Sequence, residues 1–212
     1  MKELMIFGAG GFGREVLAYA RDSGLHVAGF VDENGSALDG FDLEVGVVGN
    51  LDSIAKADRF SWVVALGDTS TRQQAATVLS GLGAQLVSVI HPTAYVASSA
   101  HVGQGVILCP FAMIGANSQV SSNVAINTYA SVGHDAVVGT SSVLSPYATV
   151  NGNVILGSAV FLGSGAIVTP GCHVGAHSKI AAGAVVTRDV APGSLVVGNP
   201  AKGRVMFAFG ND

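Results

Sequence analysis

From Ile90 to Val186 every sixth residue is Ile, Val or Leu, without a break. Four residues beyond each stands a small or β-branched one: Ala94, Ala100, Val106, Ala112, Ser118, Val124, Ala130 and so on to Val190. A helix repeats at 3.6 residues and a strand at 2, so neither alone produces a period of six. A six-residue period predicts a solenoid of short strands joined by tight corners. Strand alternation turns the aliphatic residue and the small residue two before it inward. The second and third residues after each aliphatic one then fall at corners, where Gly, Asn, Ser and Pro recur, as at Gly105, Asn117, Pro146-Tyr147 and Asn153. Three faces per turn make a coil of 18 residues, so the segment gives roughly five to six coils. Repeats of this kind wind as left-handed helices, against the usual right-handed crossover.

Residues 1–85 carry a different rhythm. Glu3 to Phe7 is a short apolar run that ends in Gly8-Ala9-Gly10-Gly11-Phe12-Gly13. A helical pattern follows from Arg14 to Ser23, and Gly24 stops it. His26 to Val31 and Ser61 to Leu66 read as further strands, and Thr71 to Gly81 as a second helix. Alternating strands and helices predict a small Rossmann-like parallel βαβ sheet. Leu86 to Ile90 leads to His91-Pro92, where the solenoid starts. The expected units are therefore 1–85 and 86–212, with scarcely any linker and a rigid coupling between them. After Asp189 the rhythm breaks at Pro192-Gly193 and Asn199-Pro200, which predicts a short cap over the open end of the solenoid.

The chain has 212 residues, of which 29 are Gly and only 11% are charged, which suits stacked strands with many tight corners. A mean hydropathy of +0.51 suggests a membrane protein. No 18-residue apolar stretch is free of polar residues, however, so the apolarity belongs to a core and a buried subunit interface. A net charge of −4 with no Lys/Arg cluster excludes nucleic acid as a partner. Cys109 and Cys172 form no framework, and no signal peptide precedes the first strand. Both points predict a reducing compartment, the cytoplasm.

Three groups bear on chemistry. Gly8-x-Gly10-x-x-Gly13 follows a strand and opens a helix, the setting in which backbone N–H groups approach a phosphate. Asp32 closes the second strand, where an acid can bind a ribose hydroxyl. The unit is half the size of a dinucleotide fold and no dehydrogenase domain follows, so a nucleotide or nucleotide sugar fits better than NAD. His134-Asp135 occupies a corner, so the imidazole can project outward as a general base with a carboxylate to fix its tautomer. His91, His101, His173 and His177 fall in other phases of the repeat and read as structural or surface groups, as does His26. His173 and His177 are close enough in sequence to ligate zinc, but no third ligand accompanies them, so no metal is expected. Lys202 and Arg204, in the cap, are suited to phosphates.

Taken together, GAGGFGREV, the unbroken repeat, Ile126-Asn127-Thr128 before His134-Asp135, and the VVGNPAK tail resemble the NeuD/PglD family over essentially the whole chain. The resemblance implies bacterial acetyltransferases of sugar and sialic-acid metabolism, several of which use acetyl-CoA to acetylate the 4-amino group of a nucleotide-linked amino sugar. It implies surface-glycan biosynthesis, homotrimers, an active site between neighbouring solenoids, and a nucleotide held in the N-terminal unit. It places the catalytic base on His134 with Asp135 as its acidic neighbour. It places nucleotide-sugar contacts on Gly10, Gly11, Phe12, Asp32, Glu33 and Gly67, and acetyl-CoA contacts near Val143, Ser164 and Ala182. Asn127, one hexapeptide before Gly133, is expected to line the same cleft as His134. Some members carry His where this chain has Phe12, which leaves the sugar and the nucleotide base open. Acetylation of a sugar hydroxyl and a non-catalytic nucleotide-sugar-binding scaffold are the alternative readings.

Overall fold

The computed structural model describes residues 2–50 and 57–206, so the outer ends of both expected units and residues 51–56 lie outside it. Five parallel strands open the chain: β1 (Leu4–Phe7), β2 (Val27–Val31), β3 (Val47–Gly49), β4 (Ser61–Val64) and β5 (Gln85–Leu86), in the order β3-β2-β1-β4-β5. Two helices connect them, α1 (Gly11–Asp22) and α2 (Thr69–Gly81). The strand order reverses between β1 and β4, which leaves a crevice at their C-terminal ends. Three of the strands and both helices are those expected from the sequence. β3 and β5 are the additions, and β3 is a three-residue edge pairing with Phe30 and Val31.

Both helices start earlier than their hydrophobic periodicity suggested. The first turn of α1 is made by Gly11-Phe12-Gly13. α2 starts at Thr69 because Asp68 caps it, accepting from the Thr71 backbone N–H at 3.0 Å.

Solenoid strands pair with the residues 18 positions on, as in Val143↔Phe161 and Phe161↔Lys179, until the last coil shortens the step to 16, as in Lys179↔Leu195. The first face starts at Val89–Ile90, the second at Tyr95–Val96 and the third at His101–Val102. They hold eight, six and five strands. The first face is extended by Ser194–Val197 and by the antiparallel Lys202–Val205, which form the cap. Inside, Leu108, Ile114, Ile126, Val132 and Leu144 pack with Ala112, Val124, Ala130 and Ala148, all 0–1% exposed. This is the expected pairing of a large residue with a small one. Ile90 is 38% exposed, because no coil stacks above the first.

The third residue after each aliphatic position has positive φ at every corner from Gly105 to Gly183, whether or not it is Gly. Phe111, Tyr129, Asp135, Tyr147 and Ala159 all lie between 54° and 61°. The stacking register over-determines these corners and carries the strain that a non-glycine residue brings to this conformation.

The N-terminal unit sits on the first face. Leu4, Ile6, Val16, Leu17, Ala20 and Phe30 form one core with Val89, Ile107, Cys109, Ala125 and Val143 of the solenoid. Polar pins surround this seam. His91 meets Asp22 at 3.2 Å and lies edge-on to Tyr19, and Ser23 Oγ donates to the Ile90 carbonyl at 2.9 Å. Arg72, on α2, is fully buried. Its Nε donates to the Asn123 carbonyl at 2.6 Å and its Nη1 to the carbonyls of Val64 and Leu66. Asn123 answers with Nδ2 to the Arg72 carbonyl.

Candidate active site

His134 and Asp135 occupy the corner between the second and third faces. Asp135 takes φ 57°, and its Oδ2 lies 2.7 Å from His134 Nδ1. Asn117, one coil earlier, donates to Asp135 Oδ1 at 3.3 Å. These two hydrogen bonds, the imidazole first, hold the Asp135 carboxyl below the usual carboxylate range. With Nδ1 engaged by a carboxylate, the proton of the neutral ring sits on Nδ1 and the Nε2 lone pair is left free. The ring is 65% exposed. It lies over Gly152, one coil further on, where a Cβ would come within 2.5 Å of Nε2. The arrangement is an oriented base on an open edge.

At the crevice, Gly8 (φ 105°) and Gly13 serve packing, since a Cβ at Gly13 would collide with the Gly8 carbonyl oxygen. Gly10, Gly11 and Gly67 are exposed and meet no such demand: a Cβ at Gly10 or Gly67 would touch nothing within 4 Å. Gly10 is the N-cap of α1 and supplies no side-chain cap, so the first turn presents free N–H groups. Asp32 Oδ2 accepts from the Ala9 backbone N–H at 2.7 Å, which ties the turn to the end of β2, and Oδ1 accepts from Asn34 N–H at 2.9 Å. Asp32 and Glu33 line a cleft of about 430 Å³ with Phe7, Gly8, Leu66 and Thr71. Phe12 is half-buried against the seam. The structure thus gathers Gly10, Gly11, Phe12, Asp32, Glu33 and Gly67 around one end of the first sheet.

It does not bring them to His134 of the same chain. The N-terminal unit covers the first face, and His134 stands on the opposite edge of the triangular solenoid. One expectation is corrected, that for Val143. Asn127 and His134 of one chain lie on different edges, so a cleft shared by the two draws them from neighbouring chains. A step of six residues moves to the next face, and Asn127 lies at the end of a first-face strand, its Oδ1 3.8 Å from Cys109 Sγ. Val143 is 2% exposed within the seam, so its side chain cannot meet acetyl-CoA. Ser164 and Ala182 are exposed one coil apart on the corner between the first and second faces. Cys109 lies deep in the seam, where burial first and Glu15 second push its thiol up to about 12.

Several residues escaped sequence reasoning. Asn117 and Gly152 are the 18-residue neighbours of Asp135 and His134, a spacing the repeat itself supplies. Arg188 lies on the same edge as His134, 54 residues or three coils on. Between Arg72 and Lys179 the chain has no Lys or Arg at all. Among the described residues no group of three or more His, Cys, Asp or Glu is placed to hold a metal ion, and no helix is long and apolar enough to cross a membrane.

A βαβ unit docked on a hexapeptide solenoid, with an oriented histidine on an open edge, defines a hexapeptide-repeat transferase. Residues 3–79 match the PglD N-terminal domain, and residues 153–188 match the bacterial transferase hexapeptide model of six repeats. PerB from Caulobacter crescentus, solved with CoA and GDP-perosamine, is 35% identical with a TM-score of 0.89, over 96% of this chain and 98% of that one. The acetyltransferase domain of PglB from Neisseria gonorrhoeae is 33% identical with a TM-score of 0.87, over 95% and 99%. WeeI from Acinetobacter baumannii is 29% identical with a TM-score of 0.85, over 96% and 100%. No curated protein matches the chain. The chain belongs to the NeuD/PglD family of sugar acetyltransferases.

Proposed function

We propose that this chain transfers the acetyl group of acetyl-CoA to the 4-amino group of a nucleotide-linked amino sugar, in the cytoplasm, for surface-glycan assembly. Residues 1–85 hold the nucleotide and residues 86–212 carry the transfer. The observation that carries the reading is His134, fixed by Asp135 with Nε2 free, in a chain that matches PerB over nearly its whole length.

The amine attacks the thioester carbonyl, so that a C–N bond forms as the C–S bond breaks. His134 Nε2 accepts the amine proton and passes it to the departing thiolate. Asp135 stabilises the imidazolium formed in between. The phosphates of the cofactor lie toward Arg188, on the edge that carries His134. Three coils at about 4.8 Å each separate them by about 14 Å, a span suited to an extended pantetheine arm.

The working unit is a homotrimer with the second face turned toward the three-fold axis. That face exposes Tyr95 (60%), Met113 (40%) and Ile167 (36%). Beside it, Phe111, Tyr129 and Tyr147 stack on the adjoining corner with centroids 5.1 Å apart. An exposed apolar strip of this kind fits a subunit interface. The packing sets His134 of one chain against the Gly10 turn, Asn127, Ser164 and Ala182 of its neighbour, and so reunites the groups that a single chain keeps apart.

The test measures CoA release from acetyl-CoA with UDP-, GDP- and dTDP-linked 4-amino sugars. Turnover with one of them, lost in His134→Ala, supports the reading. Turnover only with a sugar hydroxyl, or no acetyl-CoA binding at all, refutes it. Gly10→Phe puts a ring into the open turn, where its Cβ would meet nothing within 4 Å. Mixed oligomers of Gly10→Phe and His134→Ala chains should regain activity that neither variant has alone. No recovery would place the whole site within one chain.

A further inference from the structure

The outward column of the first face reads Val89, Ile107, Ala125, Val143, Phe161, Lys179. The first four are buried under the N-terminal unit, Phe161 is half-buried and Lys179 is exposed. The change from apolar to cationic occurs where α1 runs out. The C-terminal end of α1 meets Ile90 through Ser23, and Val16, Leu17 and Ala20 share one core with Val89, Ile107, Ala125 and Val143 of four successive coils. Its 12 residues span about 18 Å. Four coil steps span about 19 Å. The uncapped N-terminus of α1 therefore lies level with Phe161, one step short of Lys179.

From the other side Lys179 meets α2. Its Nζ lies 3.5 Å from Asp68 Oδ2, a long contact with both side chains about half-exposed. The charged residues that line the cleft beside the Gly10 and Gly67 turns are the acids Asp32 and Glu33, and Asp68 stands at the N-terminus of α2. The other cation at the turn, Arg14, stacks on Phe41, 3.8 Å from the ring centroid. α2 is capped by its own carboxylate, whereas α1 is open. An anion entering the crevice is thus directed to the N–H groups of α1 and away from α2.

The geometry points to Lys179, a solenoid residue, as the group that binds the diphosphate of the nucleotide held by the N-terminal unit, exchanging Asp68 for phosphate as it does so. The inference rests on the nucleotide-sugar reading above. It gives the solenoid a direct hold on the nucleotide and makes Lys179 a determinant of diphosphate affinity rather than of base identity. No atom of Lys179 takes part in acetyl transfer.

The experiment is equilibrium binding of GDP, UDP and dTDP, and of the matching nucleosides, to the full-length protein and to Lys179→Met, Lys179→Arg and Asp68→Asn. Losing a charged hydrogen bond to phosphate should weaken the preferred diphosphate about ten-fold or more in Lys179→Met, with nucleoside affinity unchanged. Lys179→Arg should recover most of the loss. Asp68→Asn keeps a helix cap and removes the competing charge, so it should bind the diphosphate as tightly as the wild type or a few-fold tighter. Equal diphosphate affinity in Lys179→Met and wild type overturns the inference and leaves nucleotide binding intact, as does an equal loss for nucleoside and diphosphate. If the wild type binds no nucleoside diphosphate, the underlying reading falls first.

Discussion

Replacing Gly152 with Ala should disable the enzyme without unsettling the fold. A Cβ at residue 152 would lie 2.5 Å from Nε2 of His134, 2.6 Å from Cε1 and 3.1 Å from Cδ2. Ordinary contact begins near 3.4 Å, so the ring must retreat by about 1 Å at its reactive edge. Displacements of that size cost about 10²-fold when a reacting group loses its aim, equivalent to about 2.7 kcal/mol of barrier. Stability should barely change. The three atoms nearest the new methyl all belong to a ring that is 65% exposed and free to swing. The backbone at Gly152 does not have positive φ, so Ala fits it and even restricts the unfolded chain by about 0.4–1 kcal/mol. Steady-state kinetics with acetyl-CoA and the amino sugar, beside a thermal melt, check both halves. The expected result is a kcat lower by one to two orders of magnitude, KM for the nucleotide sugar unchanged and an equal or slightly higher Tm. A Gly152→Ala enzyme with full kcat would refute the assignment of Nε2 as the working atom.

His134→Ala should lower kcat by about 10²-fold or more, as loss of a general base does. Asp135→Asn should cost less, because the ring stays in place while its tautomer loses a carboxylate anchor; single-turnover rates would order the two. The Cys109 thiol, pushed up to about 12 and fully buried, should resist iodoacetamide at pH 8 in the native protein and react once the chain is unfolded, which peptide mapping reads directly. The Asp68 carboxyl is held below its usual range by the Thr71 N–H first and by Lys179 as well. Its stabilisation is therefore present above the ordinary carboxylate range, near pH 4, and is lost as pH falls through the lowered folded value. Acid melts should show a component in the wild type that Asp68→Asn lacks, and Asp68→Ala should lose about 1 kcal/mol at neutral pH.

How much of this was legible follows from which interactions repeat. The solenoid interior is a local pattern applied many times, so the period of six gave faces, corners and the 18-residue coil. His134 stood out because its phase puts it on a corner. Its partners across coils, Asn117 and Gly152, required that same 18-residue step to be applied to the site, since six residues along the chain lead to another face. For the same reason Asn127 and His134 of one chain stand on different edges. Val143 occupies an ordinary outward position, and nothing in its neighbourhood in sequence tells that another unit lies on top of it. Arg72 sits in a polar helical run, Thr71-Arg72-Gln73-Gln74, that reads as solvent-facing. Its burial depends on Asn123, 51 residues away. β3 is three residues long and exists through pairing with β2, so it left no period to detect.

The corners of the solenoid have a consequence for how such a protein changes over time. Phe, Asn, Tyr, Asp, Ser, Ala and His all adopt one backbone shape at the third corner position, because the coils above and below impose it. The edge is therefore a ruled scale, marked every 5 Å or so, on which the residue at each mark can be exchanged while the scale itself stays fixed. His134, Gly152 and Pro170 are three successive marks on one such edge. A lineage could lengthen or shorten its donor, or shift the base along its acceptor, by rewriting single marks, with no loop to remodel and no core to repack.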